Sequence, residues 1–216
     1  MKLEKQTLAD AVYDRLRSQI VTGALEDGAE LNSVALADHF GVSRVPVREA
    51  LQRLMAESLV SGDSYRRVVV ATLGQRELAE LLAIRQELEV FGIRRQLVDR
   101  DPVPIARARK LNQAFKGSEG EGRIAIDREI HAAFMGNSPA AAKIVDDIRT
   151  RTQRYVGAVR GGPSRRVKAH QEHELLLDAV EAGDVDEAVR LLCEHIGATR
   201  RLLTAQGELT QAVGGR

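Results

Sequence analysis

The stretch that decides the fold of the first part of the chain is LADHFGVSRVPV, residues 36–47. Within it, Ala37 lies four residues before Gly41, and Val47 lies six residues after that glycine. A small residue allows two helices to cross closely, a glycine adopts the positive φ of a tight turn, and a valine fills the small core between the helices. This spacing of alanine, glycine and valine predicts a helix-turn-helix.

The sequence around this motif completes a small domain. Apolar residues at steps of four, from Leu8 to Ile20, predict a preceding helix with one buried stripe. After the motif, two short runs rich in valine flank a polar turn, which predicts a β-hairpin and hence a winged helix-turn-helix. The predicted elements are helices over residues 7–22, 34–40 (with Ser33 as N-cap) and 44–57 (with Ser43 as N-cap), then strands at residues 59–60 and 68–70 around a turn at residues 61–64.

The second helix of the motif is the candidate for reading a DNA sequence. Arg44 and Arg48 lie four residues apart, so both project from one face of its first turns. In a major groove an arginine can donate two hydrogen bonds to O6 and N7 of guanine, and a helix N-terminus favours a phosphate. Charge on a helix surface is usually only a solvated face, and the first 72 residues hold nine Lys/Arg and ten Asp/Glu. The prediction of DNA binding therefore depends on where the charges lie. The candidate contacts are Ser43, Arg44, Val45, Arg48, Arg66 and Arg67, the last two in the hairpin.

A change in the sequence pattern after Thr72 marks a second domain. From Gln75 onward the sequence shows only helical periodicity, and breaks rich in glycine, proline and asparagine delimit about six helices. Aromatic residues make up only 3% of the chain and tryptophan is absent, which disfavours sheets. We therefore predict a mostly α protein, with a winged helix-turn-helix over residues 1–72 and an all-α bundle over residues 73–216.

The composition excludes several classes of protein. With 44% hydrophobic and 29% charged residues, the chain is neither disordered nor membranous, and no apolar run approaches the roughly 20 residues that cross a bilayer. The first residues lack the apolar core of a secretory signal. Cys193 is the only cysteine, which excludes an internal disulfide and a cysteine-based zinc cage, so we assign it to core packing. We expect a cytoplasmic protein with no membrane partner.

Two spacings in the helical part predict neighbours in space. Asp127 and His131 are four residues apart and share a helix face. His173 and His195 lie at matched distances on either side of a turn at residues 183–184, so they come level if two helices pack antiparallel across it. These four side chains form a candidate site for a divalent metal, and their imidazole and carboxylate groups suit Zn, Ni, Mn, Fe or Co without selecting one. The alternative is that each histidine is a satisfied residue of the core.

The N-terminal motifs resemble the GntR family of bacterial transcription regulators. The resemblance is carried by VYDRLRSQIVTG at residues 12–23 and, most specifically, by GVSRVPVREALQRL at residues 41–54. It implies that Arg44 and Arg48 contact operator DNA. Two positions depart from the family pattern, since Val34 stands where an arginine is common and Arg67 follows a basic residue where the wing tip usually has a glycine.

The helical half resembles the FCD ligand-binding domain found in the FadR-type subfamily of GntR regulators. The resemblance is carried by DREIH at residues 127–131, EH at residues 172–173 and EHI at residues 194–196. It implies an all-α effector domain in which the aspartate and the three histidines hold a divalent metal, with a small carboxylate bound beside it. Arg85 would then pair with that carboxylate, the alternative being a salt bridge to Glu89, and Asn137 matches a common family position and would also bind the effector, the alternative being that it only caps the next helix.

Together these features predict a transcription regulator, acting as a repressor, rather than an enzyme. Two operator half-sites need two readers related by a two-fold axis, so we expect a homodimer on a palindromic double-stranded DNA operator. A small carboxylate bound at the metal-containing pocket would change DNA affinity through a coupling free energy. Two alternatives remain, a regulator for which the ion itself is the signal and a metal-dependent enzyme. The enzyme is disfavoured because no motif such as H-E-x-x-H accompanies the four side chains.

Overall fold

The computed structural model describes residues 7–63, 67–99, 101–160 and 163–214. The chain divides into two compact units, Met1–Leu73 and Gly74–Arg216. The described residues form nine helices and one two-stranded antiparallel sheet, and this mostly helical architecture confirms the predicted fold class.

The N-terminal unit is a winged helix-turn-helix. Its elements are α1 (Leu8–Val21), α2 (Ser33–Phe40), α3 (Arg44–Ala56), β1 (Val60–Gly62) and β2 (Val68–Val70). Ala37 is 3% exposed and Val47 is fully buried, and Gly41 ends α2 with a φ of 65°, so the three positions of the motif have the roles that the sequence predicts. The core between the helices and the hairpin also contains Leu16, Ile20, Leu51, Leu54 and Val68.

Helix α1 is one residue shorter than predicted at each end, with Thr7 as its N-cap, and three further boundaries differ from the predictions. Asn32, and not Ser33, caps α2, because its Oδ1 accepts hydrogen bonds from the backbone N–H groups of Val34 (2.9 Å) and Ala35 (3.2 Å). An asparagine and a serine are equally good N-caps, so the choice between neighbours depends on the backbone that each adopts. Helix α3 ends at Ala56, one residue before the predicted end. Strand β1 continues through Gly62, which pairs with Val68, so the turn begins later than predicted.

The C-terminal unit is an all-α bundle. Its helices are α4 (Gln75–Asp99), α5 (Pro102–Phe115), α6 (Gly120–Ala133), α7 (Pro139–Arg160), α8 (Pro163–Ala182) and α9 (Val185–Gly214). Helix α4 packs on α7 and α9, α5 packs on α6 and α8, and α8 packs on α9. The apolar core is formed by Ile93, Ala108, Ile130, Phe134, Leu177, Leu192 and Ile196. Among the described residues, no helix is both long enough and apolar enough to span a membrane.

Two features of the bundle place the candidate site. The turn between α8 and α9 forms as predicted, with Gly183 at a φ of 75° and the Asp184 carboxylate accepting from the backbone N–H of Glu187 at 3.0 Å. At Gly92 of α4, an added Cβ would lie 2.8 Å from the Cα of Met135, so a glycine is needed where α4 meets the end of α6. One turn earlier on α4, Glu89 contacts His131 of α6, which is one of the predicted ligands.

Candidate DNA-reading helix and metal centre

The first turn of α3 presents the predicted DNA-contacting residues at the surface. Ser43, Arg44 and Val45 are exposed, with Val45 at 51% exposure, and Arg48 is half-buried. Ser43 occupies the N-cap position, but its side chain makes no capping hydrogen bond. A helix N-terminus of this kind directs backbone N–H groups and partial positive charge outward, which suits a phosphate.

Polar contacts that the sequence reasoning missed fix α3 on α1. The Tyr13 hydroxyl donates to the Glu57 carboxylate, and the Arg53 guanidinium lies 3.9 Å from the centroid of the Tyr13 ring and 2.6 Å from the Asp10 carboxylate. Burial, with the neighbouring Glu57 carboxylate, raises the pKa of Tyr13 to about 12, so the hydroxyl stays protonated as a donor. These contacts hold the C-terminal end of α3 on α1, at the other end of the helix from its exposed first turn.

Of the two arginines predicted to contact DNA from the hairpin, the structure describes only Arg67. Arg67 is exposed and lies 3.4 Å from the Glu30 carboxylate, which partly satisfies its charge within the domain. Arg66 lies outside the described residues. Val34, at the position where an arginine is common in the family, is 46% exposed on α2.

Three histidines from three different helices meet in the core of the bundle. His131 of α6, His173 of α8 and His195 of α9 are 1%, 0% and 1% exposed. Their ring centroids are separated by 4.9–5.5 Å, and one ligand-type nitrogen from each ring lies within 4.8 Å of the others. His173 and His195 therefore lie side by side on α8 and α9, as their matched distances from the turn predict.

Each of these imidazoles has its Nδ1 bonded to an oxygen acceptor. His131 Nδ1 lies 2.6 Å from Glu89 Oε2, His195 Nδ1 lies 2.7 Å from Glu172 Oε2, and His173 Nδ1 lies 3.1 Å from Asn112 Oδ1. An Nδ1–H that donates in this way leaves the lone pair on Nε2, and metal-binding histidines are commonly oriented by such a contact.

The surroundings of the Nε2 atoms test whether a metal would fit. The Nε2 of His131 is buried and has no hydrogen-bond partner among the described residues, a costly arrangement for a polar atom. Asp127 Oδ1 lies 3.6 Å from His173 Nε2, so the carboxylate is on the same side as the imidazole lone pairs. The three imidazoles therefore form a cluster with a carboxylate beside His173, and this donor set fits a divalent transition metal.

Ionisable neighbours set the charge state of this cluster. Burial lowers the pKa of His131, and the adjacent Glu89 carboxylate opposes that shift only in part, so the ring is neutral as a metal ligand requires. Burial by itself would raise the pKa of Glu89, but the Arg85 guanidinium, His131 and Arg149 hold it well below its usual range. Glu89 is therefore an ionised acceptor for the Nδ1–H of His131.

Arg85 belongs to this cluster. It is 3% exposed, and its Nε lies 2.6 Å from Glu89 Oε1, which is the salt bridge that the sequence offered as the alternative. Its Nη2 also lies 3.4 Å from His131 Nδ1, so the same side chain faces the histidines. Asn137, the other predicted effector residue, is exposed in the segment between α6 and α7. Its role at an effector pocket stays a prediction.

Three further side chains belong to the cluster, and their contacts with the predicted ligands were not predicted from the sequence. Glu89 is fully buried, Asn112 is fully buried on α5, and Arg149 of α7 is 4% exposed and pairs with Asp127. Only Glu89 had a local signal, because it lies four residues after Arg85. Asn112 and Arg149 have no distinctive spacing and are brought to the site by helix packing alone.

A winged helix-turn-helix with an exposed reading helix, joined to an all-α domain with a buried histidine cluster, defines a DNA-binding transcription regulator. The comparisons with known proteins agree. Residues 8–70 match the family described as "Bacterial regulatory proteins, gntR family", and residues 80–198 match the FCD domain. The chain belongs to the GntR family and carries an FCD domain, which confirms the resemblance found in the sequence.

Known relatives of the chain are transcription regulators. It is 28% identical over 201 residues to the HTH-type transcriptional regulator McbR of Escherichia coli, covering 89% of this chain and 91% of McbR. The solved structure of E. coli McbR/YncC superposes with a TM-score of 0.75 at 27% identity, covering 93% of this chain and 98% of that one. A 105-residue segment is 36% identical to the gluconate operon transcriptional repressor of Bacillus subtilis, covering 49% of this chain and 42% of the repressor. These relationships confirm the prediction that the chain is a regulator and not an enzyme.

Proposed function

We propose that this regulator is a repressor that binds a palindromic operator as a homodimer and is controlled by a small carboxylate held at a divalent metal in the FCD domain. The observation that carries the proposal is the buried triad of His131, His173 and His195, in which every Nδ1 is held by an oxygen acceptor. A core that needed only apolar packing would have no use for three such neighbouring imidazoles.

In this proposal the four predicted ligands have one role and the residues that contact them have another. Asp127 and the three histidines would hold the ion, while Glu89, Asn112 and Glu172 orient the rings through Nδ1. A divalent metal supplies a fixed positive charge to which a carboxylate oxygen can bind. The chain's own contribution is to keep the imidazoles neutral and to exclude water from a buried site.

The size of the cavity beside Asp127 keeps a second candidate function open. That cavity has a volume of about 20 Å³, and its lining includes Phe115, Asp127 and Arg165. With the side chains placed as they are, this is room for about one water molecule or an ion. The observation favours a regulator for which the metal itself is the signal, and an acid would enter only after the buried arginine side chains move.

A stripe on α4 supports the proposal of a homodimer. Ile84, Phe91 and Val98 recur every seven residues and are 43%, 51% and 73% exposed. If two copies of α4 pack antiparallel about Phe91, then Ile84 faces Val98 of the second copy and Glu87 faces Arg95. Such a pairing is self-complementary in shape and in charge, as a two-fold interface requires.

We expect Phe91→Glu to convert the dimer to a monomer, because it places two like charges at the centre of this interface. Sedimentation equilibrium of the wild-type chain and the variant measures the change. Operator affinity should fall as well, because a monomer presents one reading helix to one half-site. Leu175→Glu is the matched control, because Leu175 is 55% exposed on α8 and lies off the stripe. A dimer that survives Phe91→Glu would place the interface elsewhere.

Selection of binding sites from random duplex DNA tests the regulatory proposal. We expect enrichment of two inverted half-sites, about 10 base pairs or a multiple of that apart. Fluorescence anisotropy on the selected duplex then compares zinc alone, small carboxylates alone and both together, and we expect affinity to fall about 5–150-fold only with both present. Release by zinc alone would establish the metal-signal alternative. A selected site without two-fold symmetry would contradict the homodimeric operator complex.

A further inference from the structure

Arg149 places a buried guanidinium beside Asp127, the carboxylate among the proposed metal ligands. Its Nη2 is bonded to Asp127 Oδ2, and its Nη1 lies 3.7 Å from Glu89 Oε1. Its Nε and Nη1 are buried and have no hydrogen-bond partner among the described residues. A buried guanidinium with unused donors is costly, so this side chain has capacity for a further anionic partner.

The formal charges around the histidines balance when no metal is present. Three guanidinium groups face three carboxylates in the ion pairs Arg85–Glu89, Arg149–Asp127 and Arg165–Glu172, with side-chain exposures of 19% or less. The imidazoles of a metal site are neutral. A divalent ion therefore adds two uncompensated positive charges to a buried region where charges are poorly screened.

Resting on the metal site of the proposed function, we propose that Arg149 is an internal counter-ion of Asp127 that opposes the metal, so that the metal is held tightly only when an anionic ligand engages Arg149. The chemical class of that ligand follows from the charge balance. It is an acid that carries two negative charges, one for the metal and one for the guanidinium. Metal and acid then increase each other's affinity, as linkage requires.

The competing interpretation is that Arg149 merely orients Asp127 as a ligand, as acceptors orient the histidines. The two interpretations predict opposite changes in metal affinity when Arg149 is removed. A counter-ion weakens metal binding, so its removal strengthens binding, whereas an orienting group strengthens it, so its removal weakens binding. The zinc affinity of an Arg149 variant therefore separates them without knowledge of the natural acid.

The test is a titration of metal-free protein with zinc in competition with a chromophoric chelator. We expect Arg149→Met to bind zinc at least about tenfold more tightly than the wild type, because one positive charge is removed within a few ångströms of the ion. Arg149→Lys keeps the charge and should remain close to the wild type. Arg151→Met is the matched control on the same helix, since Arg151 pairs with Glu77. Equal or weaker zinc binding by Arg149→Met overturns the proposal.

The anion dependence is tested with succinate in place of chloride at equal ionic strength. Succinate should tighten zinc binding by the wild type relative to Arg149→Met, and the variant also measures the zinc that succinate itself binds. An equal effect on both chains overturns the role of Arg149 in engaging the anion. Succinate compared with butyrate then tests for two acidic groups, and we expect only succinate to raise the melting temperature of the zinc-loaded wild type.

Failure of this inference is distinguishable from failure of the metal site. If neither the wild type nor Arg149→Met binds zinc, the metal site is wrong and the inference falls with it. If both bind zinc equally, the site stands and only the role of Arg149 is wrong. Glu89 keeps Arg85 and His131 as partners in the methionine variant, and Arg149→Lys provides a folded variant if Arg149→Met does not fold.

Discussion

Replacing His173 and His195 together with alanine is expected to abolish zinc binding by the FCD domain. The two rings lie 4.9 Å apart at the centre of the cluster, so the double variant leaves only His131 and Asp127 as ligands. A metal present at a hundred times its dissociation constant stabilises the native state by about 2.7 kcal/mol. For a chain of this size that corresponds to a rise in melting temperature of about 5–10 °C, and the variant should lose that rise.

Elemental analysis and thermal melts with and without zinc measure this prediction. His170→Ala is the matched control, because His170 lies on the same helix as His173 but is not one of the proposed ligands, and its Nδ1 contacts the backbone carbonyl of Asn112. It should keep one metal per chain. The readout is the response to zinc and not the absolute melting temperature, so that destabilisation from the lost side chains does not affect the comparison. Unchanged metal content in the double variant would exclude this site.

The second large effect is expected at the DNA. Arg44→Ala should weaken operator binding by about 1–3 kcal/mol and relax the base preference at one position of each half-site. Arg44 is exposed at the first turn of α3, so its loss costs the domain little stability. Anisotropy titrations on the selected duplex and on single-base variants of it measure both effects.

Arg15→Ala supplies the control for that experiment. Arg15 is an exposed arginine on α1 and not on the reading helix, and its removal subtracts the same charge. It should leave the base preference unchanged, and any weakening should resemble a general electrostatic loss that disappears at high salt. Wild-type affinity in Arg44→Ala would show that the reading surface lies elsewhere.

If both predictions hold, the two domains act through separate sets of residues. The histidine variants should still bind the operator but lose the response to metal and acid, and Arg44→Ala should still bind zinc. Arg149 would then be the residue that links metal to acid within the FCD domain.

The sequence by itself determined the elements and the local pairs. Helix α1, the helix-turn-helix and the α8–α9 turn followed from periodicity, caps and a glycine with positive φ, because these depend on residues a few positions apart. Asp127 and His131 could be paired because they lie on one helix. His173 and His195 could be paired because a single tight turn joins their helices and fixes which residues come level.

Only the tertiary structure decided what surrounds the histidines. His131 meets Glu89 across 42 residues, His173 meets Asn112 across 61, and Arg149 meets Asp127 across 22. Spacing within one helix shows which face a side chain is on, but not which neighbouring helix covers that face or at what height. The charge balance of the buried site, and with it the role proposed for Arg149, depends on those packing contacts and could not be read from the sequence.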